Sequence, residues 1–377
     1  MIFEVFKRSR GLEAQFEDAR CRFGLVTRQS ELQRSPPAIE AASGSTLLRS
    51  YAQAFSISPS SPGLPPDENA QDLLEDRDCY LDPLREAKVL DLRADYDLGW
   101  NQEFGEATVA KRACDTLAAQ MFAHASQGNW DKVILKAATI ENLSHMLRCE
   151  PVFLFLMIGL SARKKLVSTT VRIANEFRPP NEVLSSLARH AISGPFEFNI
   201  HELIRHDLYY SLVLSRNEKG EDSTVFEGLP ASLLMRAGLS EYIEAWSEMA
   251  TIFTSKLTHS QIANQGLLIS ASLRKTIVHY RYVDNRNIWG QFCVAVANDE
   301  ALRRAAVVAL QRLVPNSGLH LLVNSLDDPY TNKPMLTQTN ESKICIYSAG
   351  LNRLDDCGPR DGTKNVGSDD IGVFLRL

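Results

Sequence analysis

No run of apolar residues in this 377-residue chain reaches the roughly 20 needed to cross a bilayer as a helix. The longest, Val152 to Leu160 extended by Ser161 and Ala162, is about half that length and predicts a buried core helix. The segment Met1 to Arg20 lacks the apolar stretch of a secretory signal peptide. A soluble chain follows, with membrane association only through an anchor upstream of Met1. The seven cysteines include no Cys-x-x-Cys pair, which excludes a zinc ribbon. Their odd number leaves at least one thiol unbridged within the chain and favours a reducing compartment. An excess of positive charge is also missing. The net charge is −5 and the pI about 6.0, which argues against a nucleic-acid partner held through phosphates. There is no glycine-rich phosphate loop, dinucleotide fingerprint or Gly-x-Ser-x-Gly elbow. What is present is ordinary globular material, 44% hydrophobic and 23% charged, long enough for two or three domains.

Six of the sixteen prolines fall in residues 1–66. The stretch from Ser56 to Pro66 cannot sustain a helix or a central strand. Residues 1–66 are therefore expected to be a weakly ordered segment and linker. Residues 67–297 predict a helical body. Ala110, Cys114, Leu117 and Met121 share one helical face, and Val133, Ala137, Ile140, Leu143 and Leu147 share another. The short turn Ser126–Asn129 between them, with Asn129 as a candidate N-cap, forces the two helices antiparallel. This hairpin resembles one tetratricopeptide-type unit, with Gly128 at the turn and Ala137 as the small packing residue. Pro151 opens the next helix and Pro179-Pro180 stops it, with Asn181 placed to cap the one after. Further helices are expected at 198–216 and 239–256, either side of the polar loop Glu218–Asp222. Residues 298–377 predict a helix followed by a small antiparallel sheet. Asn298 stands as its N-cap and Pro315 ends it. Strands are expected at His320–Val323, Lys343–Tyr347 and Ile371–Leu375. The fold class is mainly α, stacked helical hairpins with a small C-terminal α+β subdomain.

Candidate chemistry is sparse. His201 and His206 are five residues apart, whereas a helical zinc pair needs four, so they leave a shared face. Ser161-x-x-Lys164 and Ser272-x-x-Lys275 both fit a serine-nucleophile signature, and each also reads as a solvated helix lysine. His279, Tyr280 and Arg281 stand together, as a pocket or a half-buried helix face. The strongest candidate is the loop between Asp355 and Asp370, where five aspartates face only Arg360 and Lys364. Glycines 358, 362 and 367 let its backbone curl. Hard oxygen donors on such a loop suit calcium, although the spacing is not that of an EF-hand. A solvated acidic loop is the other reading.

Taken together, the C-terminal residues resemble the tail of the major pseudopilin of type II secretion. Asp328-Pro-Tyr-Thr-Asn-Lys-Pro334 is similar to that family's Asp-Pro-aromatic turn, and Ile346-Tyr-Ser-Ala-Gly350 to its Tyr-Ser-x-Gly strand. Asn352, Asp355-Asp356 and Asp369-Asp370 follow the order of its closing loop. The resemblance implies a calcium ion held by Asp355, Asp356, Asp370 and Asn352 that stabilises the tail. The family's prepilin cleavage site and long apolar helix are missing, as is the Gly-x-Tyr-Pro sequence between Leu313 and Asp327. Pro65–Ala70, the hairpin around Trp130 and Asn287-Ile-Trp-Gly290 are similar to a group of large bacterial envelope proteins that end in such a tail. The expectation is a non-enzymatic helical scaffold of the bacterial envelope with unidentified protein partners. An enzyme with an unrecognised site in the helical body, or a secretion-pathway pilin-like component, remain the alternatives.

Overall fold

The structure, a computed structural model, describes residues 2–24, 44–55, 77–90, 105–150, 152–217, 231–273, 286–314, 319–323, 325–339, 342–356, 358 and 370–376. Among them are eleven α-helices and one small sheet. The helices are α1 (Ile2–Phe23), α2 (Gly44–Ala54), α3 (Asp78–Leu81), α4 (Gly105–Ser126), α5 (Trp130–Cys149), α6 (Phe153–Phe177), α7 (Asn181–Ile192), α8 (Ile200–Asn217), α9 (Ala231–Thr254), α10 (His259–Leu273) and α11 (Arg286–Leu313). The strands β1 (Leu336–Thr339), β2 (Lys343–Ser348) and β3 (Ile371–Arg376) follow, antiparallel and in the order β1-β2-β3. No described helix is long and apolar enough to cross a membrane.

Helices α4 and α5 form the hairpin that the two apolar stripes predict. Ala110, Leu117 and Met121 of α4 are buried, as are Val133, Ala137, Ile140, Leu143 and Leu147 of α5. Gly128 closes α4 at a φ of 73°, a left-handed position that costs an L side chain about 1 kcal/mol. There the Gly128 N–H donates to Ala125 O and the Asn129 N–H to His124 O, both at 3.0 Å, the bond pair of a Schellman termination. Asn129 stands at the N-cap of α5, but its side chain donates to Gln127 Oε1 and makes no cap. Asn181 likewise does not cap: it is the first residue of α7, after Pro180.

Among the described residues two large apolar cores result, with a smaller cluster of Ala263, Ala297, Ala301 and Tyr330 between α10, α11 and the tail. One joins α2 through α7 to the second half of α11 and the sheet. The other joins α1, the start of α6, α8, α9, α10 and the first half of α11. Helices α6 and α11 belong to both. Helix α11 shows Trp289, Phe292, Cys293 and Val296 to one core, then Leu302, Ala305, Ala306 and Leu310 to the other. It meets α10 closely at Gly266. A Cβ there would lie 2.4 Å from the Cβ and Sγ of Cys293, so only glycine allows this approach of the two helices.

Several expectations are corrected. Residues 2–23 and 44–54 lie in the segment read as weakly ordered, yet both are helical. Leu12, Phe16, Ala19 and Phe23 face the second core, and Leu48 and Tyr51 are buried in the first. The spacing of four, three and four in α1 was a helical signal, masked by the charged residues around it. Helix α11 begins at Arg286, so Asn298 is an interior residue and not a cap. The boundary at 297/298 thus falls inside a continuous helix. His320–Val323 is not a strand: Leu319–Leu322 is a 3-10 turn. The first strand is instead Leu336–Thr339, whose mostly exposed residues carry no apolar alternation to find. The proline-rich stretch 56–66, the loop Glu218–Asp222 and His279–Arg281 lie outside the described residues.

Candidate functional site

The two motifs at the base of the tail meet in space. Asp328 is buried, and its carboxylate accepts four hydrogen bonds. On its own turn the donors are Tyr330 N at 2.9 Å and Thr331 Oγ1 at 3.0 Å. From the end of β2 they are Ser348 Oγ at 2.6 Å and Ala349 N at 3.3 Å. An aspartate before Pro329 favours such a side-chain turn, because the proline fixes φ and the carboxylate satisfies the N–H groups beyond it. The turn also docks on α11: Arg304 donates to Asp327 O at 2.7 Å and the Tyr330 hydroxyl donates to Asn298 Oδ1.

Beyond β2 the candidate calcium ligands gather on one loop. The Tyr347 hydroxyl donates to Asp355 Oδ1 at 2.8 Å. Asn352 donates to Asp356 Oδ2 at 3.1 Å and accepts from Leu354 N at 2.8 Å. Asp370, buried at the start of β3, accepts from Gly358 N at 2.8 Å. Burial pushes the Asp370 carboxyl above its ordinary range, the Gly358 N–H pulls it back, and Asp356 and Asp355 push it up again. The same burial, with Asp355 against it, pushes the Tyr347 phenol well up. The negative charges of Asp355 and Asp356 thus act on Asp370 from the same loop. Among the described residues, however, no three His, Cys, Asp or Glu side chains are grouped as a metal set. Asp361 and Asp369 lie outside the described residues.

The densest charge in the described core lies where α11 passes from one apolar cluster to the other. Arg163, Asp299, Glu300, Arg303 and Arg304 are all buried there. Glu300 accepts from Arg303 and, at 2.8 Å, from Arg304. Arg303 reaches on to Ile192 O at 2.9 Å, and Arg163 to Gly194 O at 2.6 Å and Asp299 at 3.4 Å. Burial raises the Glu300 carboxyl, but Arg303 and Arg304 outweigh it and leave the group below its ordinary value. Burial pushes Arg163 down to about 10, against the pull of Asp299, and it stays charged at neutral pH. The spacing of Glu300, Arg303 and Arg304 is that of helical ion pairs. Sequence reading placed both arginines off the apolar face and missed their burial, because the carbonyls they bind are more than a hundred residues away in one case.

Other singled-out residues separate. In α8, Asn199 Oδ1 accepts the N–H groups of His201 and Glu202. His201 is exposed beside Phe23, whereas His206 is buried and faces Glu202 at 3.8 Å. Ser272 Oγ bonds Ile269 O within its own helix. A buried Lys136 holds Asp78 and Asp82, a pair more than fifty residues upstream that no local pattern announces.

Asp207 offers a pH test. It accepts from the Tyr242 hydroxyl and from Trp246 Nε1 at 2.8 Å. Burial raises its carboxyl to about 6 despite these donors. A raised folded value means its contribution is complete below the unfolded value near 3.8 and is lost as pH rises to about 6. Asp207→Asn removes that dependence. Relative to the variant, the native chain should lose on the order of 2 kcal/mol between pH 4 and 7. Denaturant unfolding of both at each pH measures it, and a constant difference would refute the burial argument.

Comparison with protein-family models, with curated proteins and with solved structures finds no match to this chain.

Proposed function

We propose that this chain is a non-enzymatic helical scaffold that engages protein partners, and that its C-terminal sheet is a calcium-stabilised cap on the helical body. The observation that carries this reading is the use made of the buried charges. Arg303, Arg304, Arg163, Lys136 and Asp328 each join segments far apart in the chain. Groups held that firmly serve architecture, whereas catalytic groups keep a face toward substrate. The pseudopilin-like character of the tail and a place in the bacterial envelope rest on the resemblance of residues 328–334 and 346–350.

Calcium would be held by Asp355, Asp356 and Asp370 with Asn352. The ion would relieve the mutual repulsion that raises the Asp370 carboxyl. Binding to the folded chain alone stabilises it by about 2.7 kcal/mol at a hundredfold excess over Kd. Added calcium should therefore raise the melting temperature, a chelator should reverse it, and Asp356→Ala should abolish both responses. Identical melting with calcium and with chelator would sink the calcium reading and leave the scaffold reading to partner capture.

A further inference from the structure

A second feature lies at the end of β3 far from Asp370 and does not depend on the scaffold reading. A cavity of about 490 Å³ opens between the end of α6, the start of α7, the end of α11 and strands β2 and β3. That volume is within the range of about 300–1,000 Å³ of small-molecule sites. Its lining includes Arg178 after α6, Arg312 on α11 and Arg376 on β3, of which Arg376 follows Leu375 and so turns its side chain to the other face of the strand. No described residue lining it is acidic. Arg312 donates only to a neutral hydroxyl, Thr337 Oγ1 at 3.3 Å, among its described hydrogen bonds. The floor is apolar. Leu184 and Leu375 are buried there, and Ile344 is the cross-strand partner of Leu375.

Two details of backbone reinforce the charge. Arg178 adopts φ 46°, a left-handed conformation normally left to glycine and costing about 1 kcal/mol. It also precedes Pro179, which narrows its choices further. The left-handed residue ends α6 at the rim of the cavity. Helix α7 starts at the cavity wall with Asn181, after a Pro180 that supplies no side-chain cap. Its first turn carries the positive end of the helix dipole beside the cavity, together with Glu182. The edge of β3 is meanwhile closed by Asn175, which donates to Phe374 O and accepts from Arg376 N at 3.1 Å. An added strand is thus blocked on this side, and the cavity suits a compact ligand.

The geometry points to a binding site for a small organic anion, with a phosphate or carboxylate head on Arg178 and Arg312 and an apolar body on Leu184, Ile344 and Leu375. Planar guanidinium forks match both head groups in a bidentate manner. The test uses the full chain and four probes: phenyl phosphate, benzoate, inorganic phosphate and phenol, followed by calorimetry. At least one of the two aromatic anions should bind, more tightly than inorganic phosphate, and phenol should not. The tighter of the two identifies the head group. Arg178→Gly removes one cation and relieves the left-handed strain, so it should melt no lower than the native chain yet bind at least tenfold more weakly. Arg312→Gln should weaken binding similarly, and Arg49→Gln, outside the cavity, should leave it unchanged. Absence of binding by both aromatic anions would overturn the site, as would equal binding by the native chain and Arg178→Gly.

Discussion

Glu300→Ala should cost about 3–5 kcal/mol of stability, the loss typical of removing one partner from a buried ion pair. Two buried arginines depend on that carboxylate, Arg303 and Arg304, and its removal takes from both the anion they are bonded to. Glu300→Gln keeps an acceptor and loses the charge, so it should fall between. The native contribution is complete above about pH 4.5 and disappears as the pH falls through the depressed folded value. Chemical denaturation at pH 7 and below measures both effects. A triple replacement, Glu300→Leu with Arg303→Met and Arg304→Met, should recover most of the loss, because well-packed apolar groups replace buried ions at little cost. A Glu300→Ala variant within about 0.5 kcal/mol of native stability would show that the cluster is solvated in solution, contrary to its burial.

Asp328→Ala should release the tail while leaving the helical body folded. The substitution strands four donors, two of them main-chain N–H groups. Each buried donor left without an acceptor costs about 1–3 kcal/mol. The loss centres on the sheet, because these four bonds tie the turn to itself and to the end of β2, whereas α4 and α5 are held together by Leu117, Met121, Ile140 and Leu143. Hydrogen exchange should therefore accelerate by at least tenfold in β2 and β3, with α4 and α5 unchanged. The Arg304 bond to Asp327 O passes part of the effect to α11. Uniform acceleration across the chain would mean that the sheet is integral to global stability and that the cap description is wrong.

These two positions also mark how far local pattern reaches. Asp328 stands in a motif legible by eye, Asp-Pro followed by a polar turn, and Ser348 in another. That their side chains touch follows only from the folding of β2 back against the turn. Glu300, Arg303 and Arg304 read as a solvated helical ladder, which is the usual place for such residues. Their burial is set by α6, α7 and the Asp327 turn closing around them.

Periodicity alone determined the α4–α5 hairpin, because the apolar stripe of each helix and the glycine turn agree in one geometry. It also determined the mainly helical class and a small antiparallel sheet at the C-terminus. Tertiary structure decided the rest. It ordered α1 and α2, whose helices are too charged or too short to stand alone and gain their stability from the faces they cover. It made α11 continuous through Asn298, since a favourable capping residue yields when packing on both sides extends the helix. It brought Arg178, Arg312 and Arg376 from three separate elements to the lining of one cavity. Local chemistry acts over one or two turns, whereas the buried charges are paired by contacts between segments such as Arg303 with Ile192 O and Lys136 with Asp78, which only folding brings together.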